Sequence, residues 1–349
     1  MSWKDFLGNA PILERFRLAH QRGRLAGTFL FVGPAGVGKR TFAFKLAQAL
    51  LCEKASKANH LDACGVCPSC TQAIAGAHPD IDYVCKPPDK SSLPIELLIG
   101  DREHRLREGL CHRLSLKPFY GGRKFAILDD ADYLQQESAN CLLKTLEEPP
   151  ANAVLILIGA NEQRQLPTIR SRSRIVRFER LSNAQVAQLL LKNGDAATPS
   201  EAEAAAALAG GNLETARQML DEAVREFRGS FLMELMRPTL DVPAWAKQVI
   251  AFVDEAGKEG VFKRERLRLV VGFAEQWFVA ALRQEADDDE LRGMLRKASP
   301  AAVAPEMLTD LLDRCLDARL QIDANANQAT LVECFLDDLR RISALTAAV

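Results

Sequence analysis

The apolar positions of this chain follow two regimes. Up to about residue 178, short continuous apolar runs alternate with helical patterns. Thr28–Val32, Lys124–Leu128 and residues 154–158 read as buried strands, and residues 175–178 as a fourth. The spacing predicts a helix over Lys39–Leu51. A second is predicted over residues 136–146, with Ala139, Leu142, Leu143 and Leu146 on one face and Pro149-Pro150 as its stop. Strands apolar on every residue, separated by helices, predict an α/β fold with a parallel sheet covered on both faces. Ligands of such sheets sit at the carboxyl ends of strands. Those ends here carry Gly33, Asp129 and Asn161.

Beyond residue 178 the strand pattern stops. Residues 181–220 are Ala-rich and helical, interrupted at "KNGDAATPS" and at Gly210-Gly211. From about residue 223 all of it reads as helix. Leu267, Val270, Val271, Ala274, Trp277, Phe278 and Ala281 form a broad apolar stripe there. The patch "EADDDELRG" predicts a loop and then a further helix. These textures predict three domains: an α/β domain over 1–179, a small helical lid over 180–222 and a helical domain over 223–349.

Composition narrows the class without changing this picture. With 349 residues, 48% apolar, the chain is long enough for several domains with a buried core. A formal net charge of -1 excludes a heavily basic DNA binder but allows a local basic patch. No apolar run approaches the ~20 residues that span a bilayer, so no membrane partner is expected. The opening "MSWKDFLGNA" lacks a signal-peptide pattern, which predicts a cytoplasmic protein.

The stretch "GPAGVGKRTF" places Gly33, Pro34, Ala35, Gly36, Val37, Gly38, Lys39, Arg40 and Thr41 between a predicted strand and a predicted helix. Glycines at this spacing let backbone N–H groups wrap a phosphate at a helix N-terminus, with Lys39 reaching the β- and γ-phosphates. The pattern calls for Ser or Thr after the lysine, whose hydroxyl ligates Mg²⁺. Arg40 stands there instead. Thr41 is no substitute, because one helical step turns a side chain by about 100°. Asp129 would hold the metal through water and Asp130 would orient the attacking water. Glu is usual at the second position, and Asp130 falls roughly 1 Å short of it. The alternative for this acid pair is a solvated strand end that caps the next helix. Both departures argue against hydrolysis and leave binding of ATP, with or without Mg²⁺, open.

Four of the nine cysteines cluster. Cys64, Cys67 and Cys70 form two CxxC steps, and Cys52 lies upstream. Four thiolates with no open position predict a closed structural Zn²⁺ site. A redox CxxC pair, or His60 or His78 as the fourth ligand, are the alternatives. Cys85, Cys111, Cys141, Cys315 and Cys334 lie among apolar neighbours and read as small core residues. "HPD" at residues 78–80 reads as a turn. The arginine-rich "TIRSRS", residues 168–173, reads either as a solvated loop or as a source of an arginine for a neighbouring subunit's ATP.

Together these stretches resemble the clamp-loader branch of the AAA+ ATPases in DNA polymerase III. The resemblance rests on "GTFLFVGPAGVGK", "CGVCPSC", "HPD", "RKFAILDDADYLQQESANCLLKTLEEPP", "LPTIRSRS" and "NANQATLVECFLDDL". It is clear over residues 1 to about 180 and lies mainly in layout beyond them. It implies an ATPase domain, a lid, and a helical collar joining five subunits into a ring. Such a ring uses ATP to place a sliding clamp on primer-template DNA. Arg172 matches the arginine finger of the family's Ser-Arg-Cys motif, with Ser173 in place of the cysteine. Asn161 lies near the first sensor position. The lid's sensor arginine position holds Glu214, and Arg217 is out of register.

Three departures at one site favour a non-motor subunit that donates Arg172 to a neighbour and works beside the gamma/tau and delta subunits. An active motor subunit of the gamma/tau kind is the alternative. An independent DNA-binding module resting on Arg102, Arg105, Arg107, Arg113, Arg123 and Lys124 is a third.

Overall fold

The structure is a computed structural model that describes residues 3, 6–58, 60–105, 107–120, 122–237, 241–286, 288–298 and 304–347. The chain divides into two compact units, Met1–Leu189 and Leu190–Val349.

The first unit begins with α1 (Ala10–Gln21), β1 (Thr28–Val32) and α2 (Lys39–Leu51), followed by the short α3 (Glu53–Ala58) and α4 (Pro68–Ile74). β2 (Ile81–Val84), α5 (Glu96–Ile99), α6 (Gly109–Ser115) and β3 (Lys124–Leu128) come next. α7 (Gln136–Glu147), β4 (Ala153–Gly159), α8 (Pro167–Arg170) and β5 (Arg174–Arg177) complete the sheet, and α9 (Asn183–Asn193) carries the division between units. The five strands are parallel in the order β2-β3-β4-β1-β5. This is the α/β AAA+ arrangement that the sequence implies, with one strand more than its pattern predicts.

The continuous apolar runs have a direct cause. Phe29, Phe31, Phe125, Ile127, Ile156 and Ile158 pack with α1 and α2 on one face of the sheet. Their alternating neighbours Leu30, Val32, Ala126, Leu128, Leu155 and Leu157 pack with α5, α6 and α7 on the other. Every residue of β1, β3 and β4 is therefore buried. Burial of a large apolar side chain contributes about 1.5–3 kcal/mol, so these strands anchor the unit. Their register, Val32 opposite Gly159 and Leu128 opposite Leu157, brings the ends that carry Gly33, Asp129 and Asn161 to one edge.

β2 escapes the pattern because "IDYV" is short, lies at the sheet's edge and is mostly half-buried. Asp82 points a carboxylate at Arg113 Nε, 2.6 Å away. Below β2, Asp80 is fully buried. Its carboxylate accepts the N–H groups of Phe119 (2.7 Å) and Tyr120 (3.2 Å), and its carbonyl accepts that of Phe125 (2.8 Å). "HPD" is thus a turn that pins the segment leading into β3.

The second unit is helical throughout its described residues: α10 (Pro199–Leu208), α11 (Leu213–Gln218), α12 (Glu222–Leu235), α13 (Val242–Asp254), α14 (Gly260–Arg283), α15 (Asp289–Ala298), α16 (Pro305–Asp323) and α17 (Gln328–Ala347). Thr198, Asn212 and Asp221 cap α10, α11 and α12 by accepting first-turn N–H groups. All seven residues of the predicted stripe on α14 are buried. Arg228 of α12 is fully buried, with its guanidinium 2.9 Å from Asp288. Asn325 turns the chain between α16 and α17 in the left-handed region, φ 60°, and Asn327 caps α17 through the Thr330 N–H. Of the five scattered cysteines, Cys315 is core as expected, whereas Cys85, Cys111 and Cys141 are half-buried. Cys334 is exposed, because its neighbours Val332, Phe335 and Leu336 take the inward face of α17.

Candidate functional site

The loop of residues 33–38 joins β1 to α2 as the sequence predicts. Gly33, Gly36 and Gly38 have φ of 147°, 70° and 90°, conformations that side-chain-bearing residues rarely adopt. A Cβ on Gly33 would lie 2.4 Å from the Phe178 carbonyl oxygen, so glycine is required there for packing as well. Lys39 turns back on its own loop, and its Nζ donates to the carbonyls of Gly33 (2.5 Å) and Pro34 (2.6 Å). Burial pulls this ammonium below its ordinary pKa, against the opposing pull of Asp129 and Asp132.

Arg40 lies against Asp129. Its Nε donates to Asp129 Oδ2 at 2.5 Å, and its guanidinium sits 5.6 Å from the centre of the Tyr83 ring. The Tyr83 hydroxyl donates to the same oxygen at 3.2 Å, while Asp129 Oδ1 accepts the Asp130 N–H at 3.0 Å. The carboxylate that would hold a metal ion is thus engaged by protein donors on both oxygens. Two unit charges 4 Å apart interact by about 4 kcal/mol at an effective dielectric of 20, so a divalent ion brought to Asp129 would meet about twice that repulsion from Arg40.

Asp130 is engaged through one of its oxygens. Its backbone is left-handed, φ 58°, and its Oδ2 accepts the Lys86 N–H at 3.3 Å. Burial, then the adjacent Asp129, raises its pKa above the usual carboxylate range. Asn161 is exposed, and its side-chain oxygen accepts the Arg164 N–H at 2.8 Å.

Two members of this site had no motif to announce them. Tyr83 arrives from the edge strand. Asp132, two residues beyond the acid pair, accepts the Ala160 N–H (2.5 Å) and Gln165 Nε2 (2.6 Å), and burial raises its pKa. A Cβ on Gly159 would meet that Gln165 nitrogen at 2.4 Å, so any larger residue at the end of β4 would displace the Gln165 side chain from Asp132.

The second candidate site is the cysteine cluster. The sulfurs of Cys52, Cys64, Cys67 and Cys70 all lie within 4.8 Å of one another. Cys64 and Cys70 sulfurs stand 4.0 Å apart, close to the ~3.8 Å edge of a tetrahedron with 2.3 Å metal–sulfur bonds. None is in a disulfide. The N–H groups of Ala55 and Cys64 point at Cys52 Sγ, at 3.5 and 3.3 Å. Backbone N–H groups of Val66 and Cys67 pull the Cys64 thiol down to about 6, while burial pushes that of Cys70 up. A central cation resolves that conflict by stabilising all four as thiolates, so the residues fit a metal ion. Both alternative histidine ligands are engaged elsewhere. His60 Nδ1 accepts the Asp62 N–H, and His78 is buried between Ser69 Oγ (3.0 Å) and the Asp80 N–H (3.0 Å).

Arg172 follows α8 and is exposed. Its Nε donates to Glu147 at 2.6 Å and its Nη1 to the Thr168 carbonyl at 3.2 Å. In the second unit Arg217 pairs with Asp195 and Glu214, both at 2.9 Å. The six basic residues of the DNA-binding alternative do not form one free patch. Arg113 is held by Asp82, and Lys124 is buried 3.8 Å from Asp80.

A glycine loop between a buried strand and a helix, with Asp129 at the end of β3 bonded to the residue after the loop lysine, defines a domain of the P-loop class. The chain belongs to the family described as "DNA polymerase III, delta subunit", whose model matches residues 8–182. It is 36% identical over 208 residues to the DNA polymerase III subunit delta' of Pseudomonas aeruginosa, covering 59% of this chain and 60% of that protein. It is 32% identical over 175 residues to the Escherichia coli subunit delta', covering 50% and 48%. The Escherichia coli subunit tau is 27% identical over 278 residues, covering 74% of this chain and 41% of the relative. Each match spans less than two thirds of the relative's length.

Proposed function

We propose that this chain is a non-motor, delta-prime-like subunit of the clamp loader of the replicative DNA polymerase. It works in the cytoplasm within a five-membered ring beside gamma/tau and delta subunits, which loads a sliding clamp on primer-template DNA. Residues 180–222 serve as the lid and 223–349 as the collar that holds neighbours. Arg172 is the finger offered to the adjacent subunit's ATP. To reach it the guanidinium exchanges Glu147 for phosphate oxygens, where charge developing in phosphoryl transfer makes its contacts stronger. Cys52, Cys64, Cys67 and Cys70 hold a structural Zn²⁺ that ties the end of α2 to α4.

The observation that carries the non-motor reading is the Arg40–Asp129 pair, which closes the position a catalytic Mg²⁺ needs. The purified chain is therefore expected to show no ATP turnover above background, with Lys39→Ala indistinguishable from wild type. Turnover that Lys39→Ala abolishes would establish the alternative, a gamma/tau-like motor. The intact glycines and lysine, and the longer match to tau, favour that second reading.

A further inference from the structure

Asp129 has a full set of partners without any ion, and one of them is a permanent cation. Arg40 spends only its Nε on that carboxylate. The four N–H groups on its two terminal nitrogens make no hydrogen bond among the described residues, and its side chain is 60% exposed. A guanidinium presents five donors in a fixed planar fork, so one nitrogen can hold a carboxylate while the others donate to phosphate oxygens edge-on. Arg40 sits one residue after Lys39, in the first turn of α2, beside a loop whose three glycines have positive φ. A hydroxyl at that position would leave Asp129 to recruit a divalent ion. The guanidinium supplies the charge itself.

We infer that Arg40 is the resident cation of this loop: it bridges Asp129 and a nucleoside polyphosphate in place of Mg²⁺, so that the loop binds the polyphosphate as the bare anion. This deepens the non-motor reading and rests on it only in treating the loop as a phosphate site that does not hydrolyse. A tethered guanidinium orders the loop around a bound nucleotide but cannot follow charge from the transferring phosphate to the leaving group. Occupancy and turnover are thereby separated.

The test is calorimetric titration of ATP into the purified chain, in divalent-depleted buffer and again with added Mg²⁺. Chelators are left out because they would attack the four-cysteine cluster. Wild type is expected to bind ATP in both media with affinities within about twofold, since the second cation is built in. Arg40→Thr restores the hydroxyl and frees Asp129, and is expected to bind about tenfold or more tightly with Mg²⁺ than without. Wild-type affinity that rises about tenfold with Mg²⁺, or no ATP binding without it, would overturn the inference. So would an Arg40→Thr protein that has lost affinity equally in both media, the signature of a merely structural arginine. The wild-type comparison alone decides the matter if the variant misfolds. Turnover in an assembled ring does not enter this measurement, so it and the non-motor reading fail separately.

Discussion

Asp80→Asn changes one oxygen to a nitrogen in a side chain with no solvent exposure, and its cost can be worked from the contacts. The carboxylate accepts two backbone N–H groups, at 2.7 and 3.2 Å, and lies 3.8 Å from a Lys124 ammonium that is itself buried. The amide keeps one acceptor. Its NH₂ then faces a backbone N–H with no acceptor between them. Hydrogen bonds to a charged group contribute about 1.5–3 kcal/mol each, and one is lost outright while the other weakens. Lys124 also loses the only carboxylate that faces it among the described ion pairs. Breaking one partner of a buried pair costs about 3–5 kcal/mol, and we expect a destabilisation in that range. Hydrogen exchange of peptides spanning residues 116–130 isolates the effect from the helical unit. Asp80→Asn combined with Lys124→Met should recover about 1–2 kcal/mol, because the stranded charge is gone. A loss below about 1 kcal/mol for the single variant, or no recovery in the double, would refute the reasoning.

Further predictions concern the metal and a histidine. The native protein should carry one equivalent of zinc, and Cys67→Ser should lose it together with protection of α4 from exchange; a metal-free chain with intact protection would contradict the site. His78 is buried with both ring nitrogens engaged, and burial lowers its pKa below 6.5, against the opposing pull of Asp80. The folded state thus binds this proton less readily than the unfolded chain. Its contribution to stability is present above pH 6.5 and is lost as pH falls from there towards the folded value. Thermal melts between about pH 7.5 and 5.5 should show a shallower decline for His78→Asn than for wild type, the cysteine contribution being common to both; equal slopes would exclude the assignment.

How much of this was legible depended on whether a residue's partner was local. β1, β3 and β4 were readable because burial on both faces writes an unbroken apolar run. β2 was not, since an edge strand four residues long carries Asp82 for a distant arginine. The cysteine cluster was set by spacing along α4 and the knuckle before it, so its convergence could be foreseen. That Arg40 opposed a metal was legible from its position after Lys39. Its bond to Asp129, 89 residues away, and the Tyr83 hydroxyl sharing that oxygen are products of sheet order. Asp132 was missed for the same reason, since its partners lie at the end of β4 and in the segment beyond it.

The central claim is that chemistry at a neighbour's site, not at its own, requires this chain. It is tested most directly by steady-state ATP turnover of a reconstituted loader ring containing Arg172→Ala or Lys39→Ala in this subunit. The account predicts that Arg172→Ala removes about one site's turnover, consistent with the ~10³–10⁵-fold effect of an arginine finger on the site it serves, and that Lys39→Ala leaves turnover unchanged. Loss of turnover with Lys39→Ala, with none for Arg172→Ala, would contradict it.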